Sequence, residues 1–439
     1  MNRREFLASV GSAAVLRAAD PPDIILRISP IELEIAPKTI IKTVGYNGSA
    51  PGPVLRVPEG KPVTAEIHND TSSPELVHWH GLMIPSEVDG SAEEGTPMVP
   101  AHGSRRYTFT PRPSGTRWYH SHTRAGRDLK RATYSGQYGF FYIEPKSDPA
   151  PFDAEVFLAL HGWDPYFSSM GEDSGLEVAY KHHFINSHAL GHGEPIRVKQ
   201  GQRVMFRILN ASATLKHSIG LGGHKFNVVA LDGNPVPEPR EMEAIDLGPA
   251  ERVDAMVTMN QPGVWILGET DDRVRNAGMG VVVEYANQSG EPRWKLPGPW
   301  RWDYTAFGAS SGAPAPDAER VPLLFRQKFA GSRWVDHWTI NGKEFPKTDP
   351  IRVKTNQRYR LAFDNQSDEA HPVHLHRHSF ELIKFAGLAT RGVVKDVVMV
   401  PPRQQVEVDF VADNPGMTLF HCHQQMHMDY GFMAMVEYS

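Results

Sequence analysis

The chain has 439 residues, 40% hydrophobic and 22% charged, with a formal charge of −5 and one cysteine, Cys422. That is globular composition, long enough for about two to four domains. It argues against nucleic acid as a partner, and a lone cysteine excludes any disulfide within the chain.

The first segment, "MNRREFLASVGSAAVLRAAD", places Arg3 and Arg4 before an apolar run from Phe6 to Leu16 and a tail of small residues. This predicts an export leader over residues 1–19, read by the twin-arginine export machinery, and a periplasmic or secreted mature protein. The run is too short to span a bilayer, and no later segment is long enough.

Beyond it the chain repeats. "LRVPEGKPVTAEIHND" begins at Leu55, "IRVKQGQRVMFRILNAS" at Ile196 and "IRVKTNQRYRLAFDNQS" at Ile351. Each reads as strand, polar turn, strand and an Asn-containing turn. Spacings of 141 and 155 residues mean whole domains rather than short solenoid units. Glycine (38) and proline (36) are plentiful and helical periodicity is scarce. The expected fold is all-β, three consecutive cupredoxin-like Greek-key sandwiches, over residues 20–148, 149–310 and 311–439. The second boundary falls in the small-residue linker "GASSGAPAPDAER".

In chain order, the first domain carries "HWHG" (His78, His80) and "HSH" (His120, His122), followed by the loop cations Arg124, Arg127, Lys130 and Arg131. The middle domain carries His182, His183, His188 and His192, read as a hairpin loop, with an extra metal site as the weaker reading. The third carries "HPVHLH" (His371, His374, His376) and "HCHQQMH" (His421, Cys422, His423, His427). "GTRWYHSH" overlays "GMTLFHCH" at an offset of 301, so Ser121 stands where Cys422 stands. In the middle domain "HSIGLGGH" overlays "HPVHLHRH" at an offset of 154, with Gly220 and Gly222 replacing His374 and His376. "GVWILGE" carries no His or Cys where the third domain has His421, Cys422 and His423, so the middle domain is expected to lack this copper site.

On a strand, residues i and i+2 share a face. His421 and His423 then address one site, and Cys422 addresses another on the opposite side. One thiolate with two imidazoles, Cys422 with His371 and His427, is the trigonal donor set of a blue copper centre. The eight remaining motif histidines would hold about three ions, and neutral imidazole suits copper.

With these four motifs in order over nearly the whole mature chain, the sequence resembles the multicopper oxidases, the family of laccases, cuprous oxidases and ascorbate oxidase. The resemblance implies four copper ions per chain. His371, Cys422 and His427 would bind the type 1 copper, and His78 and His374 the type 2 copper. His80, His120, His122, His376, His421 and His423 would bind the paired type 3 coppers. It implies one-electron oxidation of a small reducing substrate, entering at His427, with electrons passed from Cys422 to His421 and His423. Four such electrons would reduce O2 to water. The axial position falls on Phe432, which cannot coordinate; Met433 is expected to face the other way. Asp89 would assist proton delivery, with Glu87 the weaker candidate. His378 would be structural. Met426 and Met428 flank His427 and are read as packing before Cu(I) ligation. The favoured substrate is a phenol or similar reductant. The alternatives are a metallo-oxidase of Cu(I), Fe(II) or Mn(II) and, from another class, a copper-free periplasmic scaffold.

Overall fold

The computed structural model describes residues 21–147, 151–169, 175–310 and 317–439. The leader expected over 1–19 and most of the linker before Asp317 lie outside the described residues. Among those residues no helix is long and apolar enough to cross a membrane.

Six β-sheets follow one another in pairs along the chain, and each pair closes into a sandwich. The first runs from Ile24–Ala36 to Tyr138–Glu144, the second from Ala154–Ser169 to Gly280–Tyr285, and the third from Glu319–Lys328 to Met433–Tyr438. The strands on the outer sheets alternate as a half-buried sheet requires. In Val63–Asn69, Val63, Ala65, Ile67 and Asn69 are buried while the residues between them are not.

The Asn-containing turn seen three times in the sequence has one physical job. Asn69, Asn210 and Asn365 are all fully buried at the ends of equivalent strands. Each accepts a hydrogen bond on its side-chain oxygen from the amide two residues on: Thr71 at 2.9 Å, Ser212 at 3.0 Å and Ser367 at 2.9 Å. Each donates from its amide nitrogen to carbonyls of other segments, as Asn365 does to Glu369, Val400 and Pro401. The side chain thus closes the turn and ties it to a neighbouring strand.

The histidine-bearing strands break the alternation. Val77–His80, His371–Leu375 and Thr418–Cys422 are buried at every position. Val77–His80 pairs with Gly115–Ser121, setting His78 opposite His120. His371–Leu375 pairs with Thr418–Cys422, setting His374 opposite His421 and Val373 opposite Cys422. One face of the last pair meets the core of its own sandwich and the other meets the first sandwich. Successive residues therefore serve two separate interiors.

The middle sandwich keeps the scaffold of the third without its donors. His217 bonds Ser212 through Nε2 at 3.0 Å, as His371 bonds Ser367 at 2.8 Å. Its Nδ1, however, is taken by the Glu269 carboxylate at 2.9 Å. A carboxylate there fills the place that faces sulfur in the third sandwich.

Candidate metal centres

The first centre is built on Cys422, fully buried at the end of its strand. Its sulfur lies 3.5 Å from His427 Nδ1 and 3.8 Å from His371 Nδ1, and the two nitrogens are 3.1 Å apart. His427 comes from the short helix Gln425–Asp429 and His371 from the start of His371–Leu375. The far nitrogen of each ring is already engaged, His371 Nε2 with Ser367 and His427 Nε2 with Glu369 at 3.2 Å. Three soft or borderline donors therefore converge on one point with no other use for their lone pairs.

Phe432 is fully buried with its ring centroid 4.9 Å from that of His371, and Phe325 packs on it at 4.7 Å. Met433 lies on the other side of its strand, in a separate cluster with Leu419 and Met428. The fourth side of the centre is thus aromatic. Trp338 covers the donors themselves, 4.1 Å from the His427 ring and 4.7 Å from that of His371.

Burial pushes the Cys422 thiol well above its ordinary range, so the metal-free side chain is neutral near pH 7. A metal ligand must be thiolate. Uptake of a cupric ion at pH 7 is therefore expected to release about one proton from this site, and its apparent affinity to rise about tenfold per pH unit. Calorimetric titration in buffers of different ionisation enthalpy measures that proton; release of none would mean the sulfur is not a ligand.

The second centre gathers eight imidazoles from the first and third sandwiches. The nitrogens of six of them sort into two roles. His78 Nδ1 donates to the Asp89 carbonyl at 2.9 Å, His120 Nδ1 to Ser121 O at 2.9 Å and His374 Nδ1 to Asp396 O at 2.7 Å. His376 Nδ1 donates to Asp89 Oδ2 at 2.9 Å and His421 Nδ1 to Cys422 O at 2.9 Å. His80 is turned the other way, with Nε2 donating to Asp396 Oδ1 at 3.0 Å. In each case an oxygen fixes the tautomer and leaves the opposite nitrogen as a bare lone pair. Those opposite nitrogens, Nε2 of His78, His120 and His374 and Nδ1 of His80, have no hydrogen-bond partner although fully buried.

One contact sharpens the point. His376 Nε2 and His421 Nε2 lie 3.0 Å apart, and both rings carry their proton on Nδ1. Two lone pairs at that distance repel unless a cation sits between them. Burial also pushes these imidazoles below their ordinary range, His421 to about 3, so none supplies the missing positive charge. The donor set and the orphaned nitrogens fit metal ions.

Proximity joins the eight into one continuous cluster. Donor atoms of His122, His376 and His421 lie within 4.8 Å of one another. The rings of His80, His120 and His423 stand 5.1 to 5.6 Å apart. His78 and His374 link these trios, His78 stacked on His376 at 4.0 Å and His374 on His80 at 3.8 Å.

Other residues singled out in the sequence fall clearly. Asp89 is fully buried against His376, whereas Glu87 on the same helical turn is exposed. His378 is bonded at 2.6 Å to Tyr438, as its counterpart His224 is to Tyr285. His182 and His183 are successive strand residues: His182 stacks on Phe184, and His183 turns toward His217. Arg124, read as part of a solvated loop, reaches the Asp429 carbonyl in the helix that carries His427. Three acidic residues behind the rings, Glu94, Glu369 and Asp396, carried no motif. The only sequence signal was Asp396 itself, an acid inside the apolar run "VVKDVVMV".

Family models described as multicopper oxidase match residues 28–148, 166–285 and 320–439. Multicopper oxidase MmcO of Mycobacterium tuberculosis is 31% identical, over 91% of this chain and 84% of that protein. Bilirubin oxidase of Albifimbria verrucaria is 24% identical, over 89% of this chain and 72% of that protein. Among solved structures, a multi-copper oxidase from Pseudomonas thermotolerans superposes with a TM-score of 0.75 at 24% identity, covering 94% of this chain and 98% of that one. A Campylobacter jejuni multicopper oxidase, titled a metallo-oxidase, does so at 0.71 and 21%, covering 94% and 90%. These two carry the fold. Sequence matches spanning all three sandwiches, around donors that demand cations, place the chain in the multicopper oxidase family, the copper-dependent oxidoreductases that use O2 as acceptor.

Proposed function

We propose that the protein is a laccase-like oxidase of phenolic and similar aromatic reductants, with about four copper ions per chain. Cys422, His371 and His427 hold the type 1 ion, His78 and His374 the type 2 ion, and the two histidine trios the type 3 pair. Copper at these sites supplies one-electron acceptance at the sulfur-bearing centre and reduction of O2 to water at the eight-histidine centre. Domain limits at 148/149 and 310/311, twin-arginine export and a periplasmic or secreted location complete the reading.

The observation that carries the substrate class is a cleft of about 430 Å³ with the His427 ring in its wall. Its lining is mixed, polar over most of its surface, with Leu176, Val178, Leu215, Val335 and Met426 supplying apolar contact for an aromatic ring. Glu369 stands in the same wall, 3.2 Å from His427 Nε2. A phenol that loses an electron becomes a strong acid, and a carboxylate at the point of electron loss takes its proton. Burial acts to raise the Glu369 carboxyl, but its hydrogen bond and charge interaction with His427 outweigh this and hold it below the usual range. It is therefore ionised, a base, from weakly acidic pH upward.

Phenol oxidation is expected to fall as pH drops through the Glu369 titration, and Glu369→Gln to lower kcat/KM about 10- to 100-fold while losing that acidic limb. Steady-state O2 uptake against pH checks both; a variant with the wild-type profile removes Glu369 from the reaction.

A second reading has its own support. Glu177, Asp336 and Asp368 also line the cleft, an anionic oxygen set that suits Fe(II) or Mn(II) as substrate better than the softer Cu(I). Oxygen uptake with Fe(II) or Cu(I) and none with phenols would decide for the metallo-oxidase. A protein that takes up no copper would decide for the scaffold.

A further inference from the structure

We infer that the middle sandwich, in which Glu269 rather than a sulfur faces His217, clamps the eight-histidine centre by holding Asp396 of the third sandwich through its own Arg252, and that these two are positioning residues of that centre. The inference rests on the ligand reading above.

Asp396 is fully buried and sits one residue before the strand Val397–Val400, which pairs with His371–Leu375. Its side chain and backbone each address one histidine. Oδ1 accepts from His80 Nε2 of the first sandwich at 3.0 Å, and the carbonyl accepts from His374 Nδ1 of the third at 2.7 Å. Those two bonds decide which nitrogen of each ring faces the centre: Nδ1 of His80 and Nε2 of His374, both orphaned. One residue thus sets the tautomer and rotation of rings from two sandwiches.

The carboxylate is itself held from the middle sandwich. Arg252, on the strand Arg252–Thr258, bonds it in a two-pronged fork, Nη1 to Oδ1 at 2.7 Å and Nη2 to Oδ2 at 2.6 Å. Asp232 takes the backbone amides of Asp396 and Val397 at 3.3 and 3.1 Å, and the ammonium of Lys395 at 3.0 Å. Arg117 of the first sandwich reaches Asp396 Oδ2 at 3.4 Å and Asn234 of the second at 2.9 Å. With Glu251 on Lys395 at 3.1 Å, three acids and three bases balance in a dry interior.

Such a cluster is a poor way to gain stability, because desolvation offsets most of its attraction. What it supplies is direction: a planar fork fixes the carboxylate plane, and the carboxylate fixes the ring. The neighbouring chain is shaped to admit it. Gly81, the glycine of "HWHG", has φ +84, and a Cβ there would come 2.6 Å from Asp396 Oδ2 and 2.8 Å from Arg252 Nη2. The motif glycine is the opening through which the clamp reaches His80.

The test is copper retention in the full-length protein, read separately at the two centres. Asp396→Asn still offers His80 an oxygen but turns an amide nitrogen toward Arg252, so it breaks the fork that fixes the side-chain plane; Arg252→Gln with Asp396→Asn removes both charges together and so avoids a lone buried ion. Each variant is loaded with copper alone and dialysed against a graded chelator. The eight-histidine ions are expected to bind about 10- to 100-fold more weakly, with altered type 2 electron paramagnetic resonance, while the blue thiolate absorption per chain is unchanged. Wild-type retention and spectrum in the double variant would overturn the inference. So would parallel loss of blue absorption and cluster ions in both variants, which would mark a general stabilising role. A wild-type protein that binds copper without blue absorption would instead sink the ligand reading.

Discussion

Cys422→Ser is expected to abolish oxidation of every reductant, by more than about a thousandfold or about 4 kcal/mol in barrier, while the fold and the eight-histidine centre persist. Serine replaces a soft anionic sulfur by a hydroxyl that stays protonated and binds copper poorly. The two imidazoles that remain, His371 and His427, are an incomplete set with an aromatic fourth side. The strand itself tolerates the change. Ser121 occupies the matching position in the first sandwich, fully buried, between His120 and His122. At position 422 the lost packing of one sulfur costs about 1 kcal/mol, a small part of the stability of a three-sandwich chain. Absorption spectra, copper counts and oxygen uptake on one preparation check the three parts together. A serine variant that turns over normally would mean that electrons enter without this sulfur. A variant that loses all its copper would mean that the two centres fold as one unit.

The convergence of these side chains was legible because strand geometry is simple. A period of two turns "HCH" into a statement about two faces, and burial at every position of Thr418–Cys422 is its physical counterpart. The threefold Asn turn was legible as a repeat, and the offset of 154 marked His217 as a counterpart of His371 without a metal. The side chains behind the donors were not legible. His80 finds Asp396 across 316 residues and His376 finds Asp89 across 287. No local periodicity links such positions, since their meeting depends on how whole sandwiches dock. The acidic wall of the cleft was hidden for the same reason: Glu177 comes from the middle sandwich, Asp336 and Glu369 from the third. The basic loop after "HSH" looked like solvated charge because nothing near Arg124 in sequence reveals Asp429.

Asp89→Asn separates holding a histidine from supplying a proton, and turnover is expected to fall about 10²- to 10⁴-fold with the copper complement intact. Asp89 ends the turn Ser86–Asp89, and Gly90 follows at φ 100, where a Cβ would meet Val77 O at 2.0 Å. The carboxyl is thereby pressed against the centre, with Oδ2 accepting from His376 Nδ1. An asparagine oxygen accepts that bond equally well, so the ring keeps its orientation. What asparagine lacks is an acid proton. Burial raises both the Asp89 and Glu94 carboxyls, and each has an oxygen, Oδ1 and Oε2, that finds no donor in the protein. A proton shared between the two carboxyls satisfies both oxygens and stays available at neutral pH beside the eight-histidine centre. The protonated form is the donor, so wild-type turnover should decline as pH rises through the titration of this pair, and the variant should lack that decline. Stopped-flow reoxidation by O2 across pH measures it. Equal rates in variant and wild type would leave Asp89 as a holder of His376 alone; copper lost in proportion to activity would show that even the holding depends on its charge.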